Sequence, residues 1–220
     1  MPEVAITPPS NDSLGNEAAG TAAHEALEDG KNVWWVAGDD PSIIWRPFEE
    51  RLSRTEHPRR RQILQTIIEH LRTETTGDLE GVMATVSPDA AFSTPWGDGP
   101  QGWDEVRVHY EEVFAAGGIG NARVETHRIL VDDDALVNEY TWTLVVPWRT
   151  AKEYGFDIPD EEGHYAVSER VCTLLPFDPE GRLRGEVSYG RNKNPSAWVK
   201  VPDDELSPGY LAWLEGVPKS

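Results

Sequence analysis

The spacing of apolar residues changes period along this chain, and this change constrains the fold more than any other feature. Between residues 63 and 71, apolar side chains recur three and four positions apart, which is the period of one face of an α-helix. Between residues 135 and 146, one set of side chains alternates with a second, which is the period of a β-strand. Because helical segments precede the strands rather than alternate with them, the sequence predicts an α+β domain.

Helix-start and helix-stop signals divide the first half of the chain into three helices. Pro58 suits the first turn of a long helix that ends at Gly77. Asp78 is placed to cap a short second helix, and Asp104 to cap a third. Four strands follow, at residues 123–131, 135–146, 164–175 and 183–192, joined by turns except for a long acidic loop between the second and the third. We therefore expect three N-terminal helices packed on a strongly curved, mostly antiparallel sheet.

The two ends of the chain differ from its centre in composition. Residues 1–30 are small, polar and acidic, so we expect a disordered tail there. Residues 31–55 are rich in tryptophan and are expected to pack across the domain or against another subunit. We expect the domain itself at residues 56–194 and a C-terminal extension with a short helix at residues 195–220. These apolar ends leave open a structural role, in which they hold an oligomer together.

The charge balance and the cysteine count argue against several classes of function. The chain has 39 acidic and 20 basic residues, a formal charge of −19, which disfavours binding to nucleic acid. Because the sequence shows neither a membrane-spanning run nor a signal-peptide pattern, we expect a cytoplasmic protein with no membrane partner. A single cysteine excludes an internal disulfide, and the six histidines lack metal-binding spacings. We therefore expect no metal and no cofactor.

Three local strings resemble the ketosteroid isomerase and SnoaL-like superfamily, which has the nuclear transport factor two-like fold. A helix junction of bacterial ketosteroid isomerases resembles the segment Gly77-Asp78-Leu79-Glu80-Gly81-Val82. Residues 95–110 resemble the Pro-Val-Gly loop of these enzymes and the helix that follows it, which carries a tyrosine. Residues 181–192 resemble their last strand. The resemblance covers residues 58–194 and implies a conical α+β fold with a pocket for a small, largely apolar molecule. This fold hosts many reactions, so the resemblance implies no single one.

The resemblance also assigns positions for the isomerase's functional groups. Its oxyanion-hole tyrosine corresponds to His70, its proton-carrying aspartate to Thr94, and its protonated oxyanion-hole aspartate to the neighbourhood of Thr173. Its auxiliary tyrosine is retained as Tyr110. Because the base and both oxyanion donors are replaced, the resemblance implies a retained cavity with different chemistry.

Four residues are the candidates for catalysis. His70 continues the apolar face of the long helix, and a partly buried imidazole near its ordinary pKa is a natural general acid or base. Asn138 and Tyr140 alternate on one strand face, which by the resemblance looks into the cavity, and Tyr110 offers a further hydroxyl donor. Each of these residues has a purely structural alternative, as a packed or internally hydrogen-bonded side chain. No carboxylate base is placed by the sequence.

The expected substrate-binding residues line the same cavity and its rim. They are Thr94, Trp96, Leu136, Trp142, Thr173, Tyr189 and Arg191. Glu125 and His127 would add a carboxylate–imidazole pair if their strand face looks inward. Residues 147–163 are either a lid over the pocket or an acidic loop that is exposed to solvent.

These features favour a cofactor-independent acid/base enzyme, either a lyase, a dehydratase or an isomerase, that acts on a small hydrophobic and aromatic substrate. The alternative is a non-catalytic module of the same fold that binds a small molecule or assembles an oligomer. In either case we expect a homodimer or a homotrimer.

Overall fold

The structure is a computed structural model, and it describes residues 25–26, 32–94, 97–153, 155–156, 158–190 and 198–216. Most of the tail expected to be disordered, residues 1–30, lies outside the described residues. So do the side chains of two expected site residues, Trp96 and Arg191. The side chain of Thr94 is also outside, although its backbone forms the end of a strand.

Six helices are present in the described part of the chain. They are α1 (Arg46–Ser53), α2 (Pro58–Thr76), α3 (Leu79–Ala84), α4 (Gly102–Ala115), α5 (Trp148–Glu153) and α6 (Pro208–Gly216). The three helices expected from the sequence are α2, α3 and α4. Gly77 ends α2 with a φ of 71°, and the Asp78 carboxylate accepts a hydrogen bond from the Gly81 amide at 3.0 Å, which caps α3. None of the described helices is long and apolar enough to cross a membrane.

The strands form a small two-stranded ribbon and one large sheet. The ribbon is β1 (Glu25–Ala26) with β2 (Asn32–Val33), and the sheet comprises β3 (Ala91–Thr94), β4 (Gly97–Gln101), β5 (Ala122–Val131), β6 (Ala135–Pro147), β7 (His164–Pro176), β8 (Val187–Gly190) and β9 (Trp198–Val201). The sheet order is β4-β3-β8-β7-β6-β5, with β9 also pairing β7. All of these pairs are antiparallel except β3 with β8. This arrangement of helices on a curved, mostly antiparallel sheet confirms the expected fold class.

The main hydrophobic core lies between the inner face of the sheet and helices α2, α3 and α4. Leu136 on β6 and Leu175 on β7 pack there against Ile63 and Ile67 of α2. Because side chains alternate along a strand, the face of β6 that carries Leu136 also carries Asn138 and the next two even-numbered residues. Phe48 of α1 is 2 % exposed in the same core, so the tryptophan-rich extension shares one core with the domain.

Other parts of the extensions pack on the outer face of the sheet. Trp34 and Tyr210, from the two ends of the chain, are buried in one cluster with Val145 and Ala166 of the sheet. The Trp34 amide also donates to the Glu205 carbonyl at 2.9 Å, which joins the N-terminal and C-terminal extensions directly. The extensions therefore cover one end of the outer face.

Residues 147–163 contain helix α5 and a small core of their own. Ala151 and Ile158 are buried against Val146 and Tyr165, on the same sheet face as Leu136. The segment is therefore packed onto the inner face at the far end of β6 and β7. The burial of Ala151 and Ile158 does not fit a loop that is fully exposed to solvent. The role of the segment as a lid stays a prediction.

Candidate functional site

His70 lies at the centre of a buried hydrogen-bonded chain between α2, α3 and α4. Its side chain is fully buried, with Nδ1 2.7 Å from the Thr85 Oγ1 and Nε2 3.1 Å from the Tyr110 hydroxyl. The Thr85 hydroxyl donates its own proton to the Val82 carbonyl at 2.6 Å. Thr85 therefore accepts from Nδ1–H, and Nε2 is the ring nitrogen that faces the Tyr110 hydroxyl.

Two carboxylates flank this chain. Glu186, directly before β8, places Oε1 3.6 Å from His70 Nε2, and its side chain is 33 % exposed. Glu74 lies four residues after His70 on α2 and therefore on the same helix face. The Glu74 carboxyl makes no hydrogen bond or ion pair with any residue that the structure describes. Burial raises the pKa of Glu74 to about 7, with His70 opposing the rise and Glu186 adding to it.

The two tyrosines of the site stay protonated at neutral pH. Burial, reinforced by Glu74 and Glu186, raises the pKa of Tyr110 well above its ordinary value. Burial likewise raises the pKa of Tyr140 to about 12, against the opposing effect of its hydrogen bond to Thr173. The Tyr140 hydroxyl lies 3.1 Å from Thr173 Oγ1. Both tyrosines are therefore hydrogen-bond donors rather than phenolates in this site.

The inner wall of the sheet carries two buried polar groups that lack partners. Asn138 is 7 % exposed, and its Oδ1 has no hydrogen-bond partner within the described ranges. The hydroxyl of Thr126, which pairs with Tyr140 across β5 and β6, is also buried without a partner there. An unpaired buried polar group costs about 1–3 kcal/mol, so each such group calls for an explanation. A bound molecule that supplies the missing hydrogen-bond partner is one such explanation.

The structure brings most of the sequence-derived candidates together. His70, Tyr110 and Tyr140 share the carboxylates Glu74 and Glu186 as electrostatic neighbours. Among the remaining candidates, those on the same inner sheet face are Leu136, Asn138, Trp142 and Thr173. The Tyr140 and Trp142 rings meet edge to face with centroids 6.4 Å apart. Leu136 is fully buried in the main core.

The placement expected for Tyr189 is wrong, and the facing of Glu125 and His127, which the sequence left open, is outward. Tyr189 is 64 % exposed because it pairs with Cys172 on the outer face, whereas its neighbour Ser188 turns inward to Thr173 at 2.8 Å. Glu125 and His127 do not point inward either. Glu125 is the strand-pairing partner of Thr141, whose side chain lies on the outer face. His127 Nε2 lies 2.7 Å from the Thr141 hydroxyl on the same face.

Sequence reasoning missed both carboxylates of the site. The spacing of four residues between His70 and Glu74 on a helix was a usable signal, because such residues lie on one face. Glu186 was missed because the facing of the last strand was assigned the wrong way round. The inward set is Glu186 and Ser188, not Val187 and Tyr189.

Two open clefts, of about 290 and 460 Å³, lie elsewhere on the described surface, at the β5–β6 turn and beside α4. Neither is lined by His70 or Asn138. Within the described ranges, no group of three or more histidine, cysteine or acidic residues is arranged to hold a metal ion.

Comparisons with known proteins give one family match and several similar structures. A family model described as the SnoaL-like domain matches residues 67–184. The structure is similar to a putative SnoaL-like polyketide cyclase from Shewanella putrefaciens CN-32, with 14 % identity over 66 % of this chain and 87 % of that one, and a TM-score of 0.49. It is also similar to an LEH-like epoxide hydrolase of M. tuberculosis, with 17 % identity over 72 % and 96 % of the two chains, and a TM-score of 0.45. A search of curated protein sequences found no match.

Proposed function

Since this chain belongs to the SnoaL-like domain family, we propose that the cluster around His70 is the active site of a cofactor-independent enzyme. The enzyme moves protons on a small hydrophobic, aromatic molecule and acts as a lyase, a dehydratase or an isomerase. These reactions share one requirement, a base and an acid that face the same substrate across a site of restricted water access.

Glu74 carries this proposal. A carboxyl without a hydrogen-bond partner among the described residues, with a pKa raised to about 7, is present in both protonation states at neutral pH. A general acid or base works best when its pKa lies near the working pH. Glu74 therefore takes the substrate proton as a carboxylate.

The neighbouring residues supply the other half of the proton transfer. Thr85 fixes the orientation of the His70 ring through Nδ1, and Nε2 faces the Tyr110 hydroxyl. Tyr110 gives its proton to a developing substrate oxyanion or to a leaving hydroxyl, and the proton that Glu74 took from the substrate then passes back to the Tyr110 phenolate, which restores both groups. Asn138 and Trp142 position the substrate, one by hydrogen bonding and one by ring packing.

A generic proton-abstraction probe tests this role without knowledge of the natural substrate. Wild-type protein is assayed with 5-nitrobenzisoxazole, a neutral aromatic compound that loses a carbon-bound proton as its N–O bond breaks to release a coloured phenolate. We expect turnover that rises with pH around a midpoint near 7, as Glu74 ionises. Glu74→Gln is expected to lower the rate by about 10²–10⁴.

Glu69→Gln is the matched control, because Glu69 is an exposed residue of the same helix. It should leave both the rate and the midpoint unchanged. Equal rates for wild type and Glu74→Gln would contradict the assignment of the base.

The alternative function is a non-catalytic binding module. It is favoured by the presence of Thr94 at the position that corresponds to the proton-carrying aspartate of ketosteroid isomerases. Such a module would bind an aromatic probe through the Asn138 face and show no turnover in any variant. Measured binding without turnover would therefore favour it over the enzyme.

We also propose that the chain forms a homodimer through an apolar row on its outer sheet face. Leu130, Val137, Leu174 and Val187 are register partners across four strands, and Leu130 and Leu174 are 55 % and 36 % exposed. On one side of the row, Glu139 pairs with Arg128 and Arg170. Such a mixture of charges lets one surface pair with its own copy about a twofold axis. The formal charge of −19 opposes association through acidic parts of the surface.

A further inference from the structure

We infer that this site selects an uncharged molecule that carries an O–H donor, and that it rejects carboxylates. The inference rests on the proposed function only for the location of the site. It concerns which ligands bind, and it is tested by binding alone.

The requirement for a donor comes from Asn138. Its side chain is 7 % exposed, and the unpartnered atom is Oδ1, an acceptor. Asn138 lies on β6 between Leu136 and Tyr140 and is the register partner of Thr173. Thr173 does not satisfy it, because the Thr173 hydroxyl is engaged by Tyr140 at 3.1 Å and by Ser188 at 2.8 Å.

A ligand hydroxyl would satisfy this acceptor at little cost. A buried acceptor left unpaired loses the hydrogen bonds that it would make with water, so a ligand that supplies an O–H group recovers them. A ligand of the same shape without the donor leaves the amide oxygen unpaired and binds more weakly. The hydroxyl of Thr126, buried and unpartnered on the adjacent strand, is a second group that the same ligand can engage.

The rejection of carboxylates comes from the charges of the cluster. Glu186 Oε1 lies 3.6 Å from His70 Nε2, and Glu74 follows His70 by one turn on the same face of α2, so both carboxylates border the volume beside His70. Among the described residues that hydrogen-bond or ion-pair within the cluster, none is lysine or arginine. A carboxylate in that volume would be repelled by Glu186 and, above neutral pH, by Glu74.

Three probes on one ring frame separate these effects. The probes are 2-naphthol, which is neutral and has an O–H donor, 2-methoxynaphthalene, which is neutral and has no donor, and 2-naphthoate, which is an anion. Their dissociation constants for the full-length protein are measured at pH 7 by titration calorimetry. We expect 2-naphthol to bind about tenfold more tightly than the methyl ether, the effect of one buried hydrogen bond. We expect 2-naphthoate to bind at least tenfold more weakly than 2-naphthol.

Variants then assign each preference to its residue. Asn138→Leu should reduce the preference for 2-naphthol over its methyl ether to within about twofold, because the unpaired acceptor is gone. Glu186→Gln should improve 2-naphthoate binding and leave the preference for a donor intact. Glu139→Gln is the control, since Glu139 is the outer-face neighbour of Asn138 and pairs with Arg170.

The wild-type comparison decides the inference even if Asn138→Leu fails to fold. Equal binding of 2-naphthol and its methyl ether would overturn the requirement for a donor. Tighter binding of 2-naphthoate would overturn the rejection of anions, and failure of all three to bind would overturn both. These experiments measure binding and not turnover. Their results are therefore independent of the outcome of the benzisoxazole assay, which tests the proposed enzymatic function.

Discussion

Glu74 has a raised pKa because it is partly buried in a cluster that offers it no hydrogen-bond donor among the described residues. Burial disfavours the charged form, the negative Glu186 disfavours it further, and His70 offsets only part of that cost. The Tyr110 hydroxyl is directed to His70 Nε2 and not to this carboxyl. The residue is thus held in an environment that weakens folding and suits proton transfer, a combination expected of catalytic groups.

This environment predicts an unusual pH dependence of stability. The folded-state pKa of Glu74 is raised from 4.5 to about 7, so the folded state prefers the protonated form. Below pH 4.5, Glu74 is protonated in both the folded and the unfolded state and does not change the free energy of unfolding. As the pH rises from 4.5 to 7, its ionisation in the unfolded state lowers the free energy of unfolding. The full penalty is at most about 3 kcal/mol. Glu74→Gln removes the ionisation, so we expect it to be more stable than wild type at pH 8 and similar at pH 4.5.

Urea unfolding at the two pH values measures this difference, and Glu69→Gln is again the control. Its exposed carboxyl should give the same stability difference from wild type at both pH values. If Glu74→Gln tracks wild type across this range, the carboxyl is not held in the environment described.

At the scale of elements, the segment before β8 decides which side chain enters the site. Gly185 has a φ of 150°, and a Cβ there would lie 1.8 Å from the Ala91 carbonyl oxygen. The Ser93 amide then donates to the Glu186 carbonyl at 2.6 Å, which fixes Glu186 in line with β3. The close approach of these two segments therefore sets the inward facing of Glu186.

Gly185→Ala is therefore expected to destabilise the fold by about 3 kcal/mol or more, because the methyl group meets backbone rather than a flexible side chain. Gly77→Ala is the matched control. Gly77 also has positive φ, at 71°, but a Cβ there meets nothing within 4 Å, so only the backbone cost of about 1 kcal/mol is expected. Chemical denaturation compares the two, and equal losses would argue against the close approach at Gly185.

The elements of the domain could be predicted from the sequence because their signals are local. Helical spacing, the caps at Asp78 and Gly77, and the alternation along β6 each depend on a few neighbouring residues. The facing of β5 and β8 could not be predicted in this way. In β5, a bulge between Thr126 and Arg128 changes the alternation, and in β8 the contact of Gly185 with Ala91 sets it. Both effects depend on partners distant in sequence.

At the scale of the whole molecule, the two extensions determine which part of the outer sheet face remains available. They bury Val145 and Ala166 at one end and leave the apolar row around Leu174 uncovered within the described part of the chain. The tryptophan-rich termini thus serve the protein's own core, as Trp34 shows. The division into tail, extension and domain that we expect from composition stays a proposal, since α1 joins the main core through Phe48.

The proposed dimer predicts that a charge in the apolar row abolishes association. We expect wild-type protein to sediment as a dimer at micromolar concentration and Leu174→Asp to sediment as a folded monomer, because an unpaired carboxylate would be buried in the interface. Leu211→Asp is the control, since Leu211 is 44 % exposed on α6, outside the row. A monomeric wild type, or a Leu174→Asp dimer, would contradict the proposed interface.

The central claim is that Glu74 is a carboxyl poised near neutral pH beside the His70–Tyr110 pair. Its most direct test is a carbon-13 NMR titration of full-length protein labelled at the glutamate side-chain carboxyl, with Glu74→Gln used to assign the resonance. We predict that this resonance titrates with a midpoint near 7, well above the ordinary glutamate pKa of 4.5. A midpoint near 4.5 for Glu74 itself would contradict the claim and remove the base from the proposed mechanism.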